Sequence, residues 1–137
     1  MTAKEYLSQA RRLDEIINCR LRELEYWRHL AGSISGTRYD GMPHSPNRPT
    51  EAPFARCLDK IDEIERDIDR RIDELVDLRD TINRAIDTMD NADERTLLRC
   101  RYLENSSWSE IGGRLHVSNR TVHRIHSSAL ANFSVPD

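Results

Sequence analysis

NADERTLLRCRYLENSSWSEIGGRLHVSNRTVHRIHSSALANF, Asn91–Phe133, is the stretch that decides the fold. Its spacing predicts three helices in close succession. Asn91 is placed to cap the first, with Glu94 at the third helical position as in a capping box, and Leu97, Leu98, Cys100, Tyr102 and Leu103 supply its apolar side. Glu104 to Ser106 reads as a break. Ser107 then caps a short helix, with Glu110 three residues on and Trp108, Ile111 and Leu115 available for a core. After a turn at His116 and Val117, Ser118 caps a last helix that runs to Phe133. A short helix, a tight turn and a second helix is helix-turn-helix spacing.

The residue types suit that geometry. Gly112 falls where the two helices pass closely and a small side chain is required, while Val117, Val122 and Ile125 put branched groups at the crossing. With Val122, Ile125, Ala129 and Phe133 taken as the buried side, the last helix turns Asn119, Arg120, His123, Arg124 and Ser127 outward. No carboxylate occurs from Leu115 to Ile125, so that outward face is basic. Two residues fit less well. His116 stands at a turn position where glycine is common and left-handed backbone is demanded. Gly113 loosens the supporting helix by about 1 kcal/mol relative to alanine.

Tyr102–Phe133 resembles region 4 of sigma-70-type transcription factors. It is especially similar to the C-terminal ends of small phage and prophage proteins related to the autolysin-regulator type of late transcription regulators. The likeness is carried by E-I-small-x-x-L-x-V-S-x-x-T-V, Glu110 to Val122, and by R-I-x-x-x-A-L, Arg124 to Leu130. The upstream half resembles an uncharacterised family from phages and integrative elements of low-GC Gram-positive bacteria. The resemblance implies a DNA-binding transcriptional regulator of phage or mobile-element genes, with no cofactor and no catalysis. The parts of a sigma factor that open promoters have no counterpart, so an independent sigma factor is not expected.

On this reading the last helix enters the major groove of double-stranded DNA. Arg120 and Arg124 reach guanine edges or phosphates, Asn119 an adenine or a phosphate, and His123 and Ser127 make adjacent contacts. Ser107 and Ser109, with the helix N-terminus they start, face the phosphate backbone, and Ser118 and Thr121 are counted with the DNA-binding residues.

Upstream lie two long helical patterns. From Phe54 to Met89 apolar residues recur through Leu58, Ile61, Ile64, Ile68, Ile72, Leu75, Leu78, Ile82 and Ile86 at close to the coiled-coil period, after Thr50 as N-cap and Pro53 in the first turn. A second stripe runs through Tyr6, Ala10, Leu13, Ile17, Leu21, Leu24, Trp27 and Ala31, ended by Gly32. Residues 32–50, rich in Gly and Pro, read as a long loop. The expectation is an all-α protein, with an antiparallel helical hairpin over residues 1–90 and a helix-turn-helix domain over 91–137. The second hairpin helix outruns the first by about 15 Å, which leaves stripe for a homodimer or for packing on the C-terminal domain.

Charge is uneven: residues 51–90 carry seven Lys/Arg against thirteen Asp/Glu, and residues 91–137 six against five. The formal charge of −3 thus belongs to the middle segment, and the C-terminal part remains able to approach a polyanion. The charged run from Asp62 to Asp80 reads first as a solvated helix flank and second as an acidic surface for a basic partner such as a polymerase subunit. A charged fraction of 33% with 6% aromatic residues argues against a β-sandwich or barrel. No apolar run spans a membrane and no signal peptide opens the chain, which points to the cytoplasm of a bacterial host.

Cys19, Cys57 and Cys100 form no C-x-x-C pair and read as small buried hydrophobes. Cys100, His116, His123 and His126 match no zinc spacing, so no metal is expected. Neither a P-loop nor a nucleophile beside a base is present, so the chain is not read as an enzyme. Two rival functions remain. One is a DNA-packaging or assembly protein of the small-terminase kind. The other is an interaction protein whose sigma-like part binds RNA polymerase.

Overall fold

The computed structural model describes residues 1–36 and 51–137, and among them there is no strand. Five α-helices follow one another: α1 (Ala3–Gly36), α2 (Glu51–Asp87), α3 (Ala92–Leu98), α4 (Trp108–Leu115) and α5 (Asn119–Asn132). A wider turn of π type, Arg99–Leu103, extends α3. The all-α expectation, with paired long helices and a C-terminal helix-turn-helix, therefore holds. The rest of the expected 32–50 loop and its Thr50 cap lie outside the described residues.

Gly32 does not end α1, which continues to Gly36. A helical glycine costs only about 1 kcal/mol against alanine, and a single one stops a helix only where a left-handed cap follows. Consequently α1 has 34 residues and α2 has 37, and the expected 15 Å overhang is absent. Thr2 and Glu5 start α1 with a reciprocal capping box, each backbone N–H donating to the other's side chain at 3.1 Å.

Packing divides the chain into two compact units, residues 15–73 and residues 1–14 with 74–137. In the first, α1 and α2 run antiparallel around buried Leu24, Ile64 and Ile68. Arg20 Nε donates to Asp67 at 2.8 Å and Arg28 to Glu65 at 2.7 Å. Arg70 and Arg71 also donate to Asp67, and these guanidiniums hold its carboxyl well below the usual carboxylate range. The apolar stripes are not buried throughout: Leu21, Leu58 and Ile72 are 45%, 48% and 41% exposed, and of the cysteines expected inside, Cys57 and Cys100 are buried but Cys19 is exposed. A 3.5-residue spacing drifts from the helical turn by about 20° per heptad, so parts of such a stripe rotate out of a two-helix contact.

The second unit holds the larger core. Leu7 and Ala10 of α1 and Ile82, Ile86 and Met89 around the end of α2 pack with Leu97, Leu98, Cys100, Tyr102, Leu103, Ile111, Val122, Ala129 and Phe133. Leu7, fully buried, belongs to this core although the sequence stripe passed over it. Arginines tie the segments by their backbone oxygens: Arg79 donates to Leu103 O at 2.6 Å and Arg95 to Met89 O at 2.5 Å. Packing therefore crosses residue 90, where the sequence reading sets its boundary.

Candidate nucleic-acid interface

Each helix of the C-terminal region is started by a side chain that accepts a backbone N–H. Asn91 accepts from Glu94 at 3.0 Å, Ser107 from Glu110 at 3.1 Å and Ser118 from Thr121 at 3.3 Å. The return half of the expected capping box at Asn91 is not made. Buried Glu94 instead accepts Ser128 Oγ at 2.6 Å and Asn132 Nδ2 at 3.1 Å and 3.2 Å, which fastens α3 to α5. A buried carboxylate needs more than one donor, and α5 supplies them.

The break after Leu103 is built on Asn105, whose φ of 57° is left-handed; Ser106 N–H then reaches back to Cys100 O at 2.8 Å. His116 closes α4 in the same way, at φ 58° and ψ 43°, as its turn position demands. Val117 N–H donates to Gly112 O at 3.1 Å across that turn. A Cβ on Gly112 would stand 3.2 Å from Val117 O and 3.4 Å from Val122 Cγ2, so the close approach there is real; beside Gly113 there is open space.

The buried side of α5 consists of Val122, His126, Ala129 and Phe133, while Ile125 is half-buried. This corrects the expected stripe by one position: 122, 126, 129 and 133 keep the helical period better than 122, 125, 129 and 133. His126 Nε2 lies 2.7 Å from the Tyr102 hydroxyl, and burial is the main cause holding its pKa down at about 4. The residues weighed for a metal have other neighbours, Cys100 meeting Arg114 and His123 meeting Trp108. No cluster that could hold a metal ion occurs among the described residues.

Opposite the buried side, Asn119, Arg120, His123, Arg124 and Ser127 are exposed, as expected. Arg120, Thr121, His123, Arg124 and Ser127 line one shallow concavity along α5. A second, beside the turn, is lined by Ser109, Gly113, His116, Ser118 and Asn119 around Trp108. Exposed Ser107 stands at the α4 cap. Several hydroxyls already have protein partners: Ser107 Oγ meets Glu110, Ser118 Oγ meets half-buried Thr121 Oγ1 at 3.0 Å, and Ser127 Oγ donates to His123 O at 3.1 Å.

The arginines differ sharply in how they are used. Arg114 pairs with Glu104, Arg99 with Asp87 and Asn83, and Arg101 donates to Ser106 O. Arg120 and Arg124 make no ion pair or side-chain hydrogen bond with any described residue. From Ile111 to Pro136 the chain carries three arginines, three histidines and no carboxylate. The outward face of α5 is thus a cationic surface whose two arginines have no charge partner among the described residues.

Residues 86–132 match the family model of sigma-70, region 4, a helix-turn-helix region of DNA-binding type. The match covers about a third of the chain. It begins at Ile86, inside the last turn of α2, and so takes in part of the core that holds α3 to α5. No curated protein and no solved structure matches the chain.

Proposed function

We propose that the protein is a sequence-specific DNA-binding transcriptional regulator that lays α5 in the major groove of double-stranded DNA. The observation that carries this reading is the coincidence of the matched helix-turn-helix with a carboxylate-free face on which Arg120 and Arg124 have no ion-pair partner among the described residues. Those two arginines reach guanine edges or phosphates, Asn119, His123 and Ser127 lie beside them, and Ser107, Ser109, Ser118 and Thr121 face the backbone from the two helix starts. On this reading the chain binds and does not catalyse. RNA polymerase is a candidate second partner, and the antiparallel hairpin a candidate dimer surface. The assignment to phage or mobile-element genes rests on the sequence resemblance alone.

The test is selection from a random duplex library with the wild type and with Arg120→Ala/Arg124→Ala, at two salt concentrations. A motif enriched by the wild type and lost by the double variant supports the reading, and a palindromic motif adds a dimer. Loss of an arginine that touches a base costs about 1–3 kcal/mol, and loss of one that touches only phosphate lowers the salt slope by about one. A folded wild type that enriches nothing refutes it.

A further inference from the structure

Trp108 is the first residue of α4, half-buried at the rim of the core. Besides the core, it meets three polar side chains. The Arg101 guanidinium carbon lies 4.0 Å from the centroid of the indole, and Arg101 is itself anchored by Nη1 to Ser106 O at 3.2 Å. The His126 ring meets the indole edge-on at 4.8 Å, and is in turn fixed by Tyr102. The His123 ring lies 4.8 Å from the indole at 50°. Three of these residues are held in place by the protein, whereas His123 belongs to the exposed face of α5 and has no other ring or ion-pair partner among the described residues.

An exposed imidazole on a helix ordinarily samples several rotamers, and binding must then order it. Contact with a fixed aromatic ring removes most of that freedom beforehand. We propose that Trp108, steadied by Arg101 and His126, is a positioning residue that confines the His123 imidazole to one placement on α5 and so sets the base preference at the base pair His123 faces. The inference rests on the reading of α5 as the helix in the groove. It gives Trp108 and Arg101, neither of which lies on the outward face of α5, a part in specificity.

The test repeats the duplex selection with Trp108→Phe, Trp108→Leu, His123→Ala and the Trp108→Leu/His123→Ala pair. Trp108→Leu is expected to lower the preference at one base pair by about fivefold, in line with aromatic pair couplings. The salt slope should stay unchanged, Trp108→Phe should restore most of the preference, and His123→Ala should abolish it at the same base pair. In the His123→Ala background Trp108→Leu should add nothing. A uniform loss across all sequences, or a loss that persists without His123, overturns the proposal and leaves Trp108 a core residue. Should Trp108→Leu not fold, the wild type still decides. His123 ring-proton resonances should lie upfield of those of His116 and move towards them in Arg101→Ala, and coincidence of the two sets in the wild type overturns the proposal. A wild type that selects no motif sinks the groove reading and this inference together, whereas a motif insensitive to Trp108→Leu sinks only the inference.

Discussion

The Tyr102 hydroxyl and the His126 Nε2 atom are 2.7 Å apart and both side chains are buried, and burial keeps the imidazole neutral at ordinary pH. Protonated His126 would place a charge out of water in a site already faced by Lys4, Arg101 and His123. Its pKa falls from 6.5 to about 4 on folding. Between those values the unfolded chain binds more protons than the folded one, so stability is full above about pH 6.5 and declines as pH falls towards 4. The expected loss at pH 4.5 relative to pH 7 is on the order of 2 kcal/mol from this group. Urea midpoints measured across that range should show it, and His126→Gln should flatten the dependence by the same amount.

The two adjacent glycines of α4 should respond in opposite directions. Gly113→Ala enters open space and is expected to stabilise by about 0.5–1 kcal/mol. Gly112→Ala gains the same propensity but presses on Val117 O and Val122, and is expected to destabilise by about 1 kcal/mol net. Thermal unfolding of both variants checks the signs, and two variants of equal stability would refute the close approach.

His116→Gly relieves a left-handed backbone at φ 58° that costs a side-chain-bearing residue about 1 kcal/mol. A rise in stability of roughly that size is expected, measured by urea denaturation, with DNA selection unaltered because His116 is outside the proposed contact set.

Glu94→Ala should cost about 2 kcal/mol, since it strips Ser128 and Asn132 of their shared acceptor. Hydrogen exchange should then rise first in α5 and not in residues 15–73.

Asp67, with its side chain 10% exposed and three arginines around it, contributes stability above the ordinary carboxylate range and loses it as pH falls below about 4. Solvent screens such a pair, so Asp67→Asn is expected to cost only about 1 kcal/mol at neutral pH, less in high salt. A variant as stable as the wild type in low salt would show that the cluster is ornamental.

Much of the helix-turn-helix was legible because its signals are local. The Asn91, Ser107 and Ser118 caps, the Gly112 approach and the His116 turn each depend on residues within a few positions of one another. What escaped depends on partners far along the chain. Glu94 reads as half of a capping box until Ser128 and Asn132 are brought beside it, and His126 reads as a polar residue until Tyr102 faces it. The period alone favoured 126 over 125, but the preference for an apolar residue outweighed one position of helical phase. Gly32 misled for a related reason: residue type suggested a stop, and only the following residues decide whether a helix stops. At Leu7, Leu58 and Ile72 the stripe was drawn from spacing, whereas burial follows the rotation of each helix against its partner.

The core that holds α5 draws Leu7, Ala10, Ile82 and Ile86 from segments separated by most of the chain. The helix-turn-helix is therefore not a portable cassette. A fragment of residues 91–137 lacks those four side chains and should populate a loosely packed state. Residues 1–14 joined by a short linker to 74–137 should fold as one cooperative unit. Exchange of the helix-turn-helix between related chains, whether by recombination or by design, would then require two cut-and-join sites upstream, one in each long helix, in place of a single boundary. Chains that diverge in α5 should co-vary with the first turns of α1.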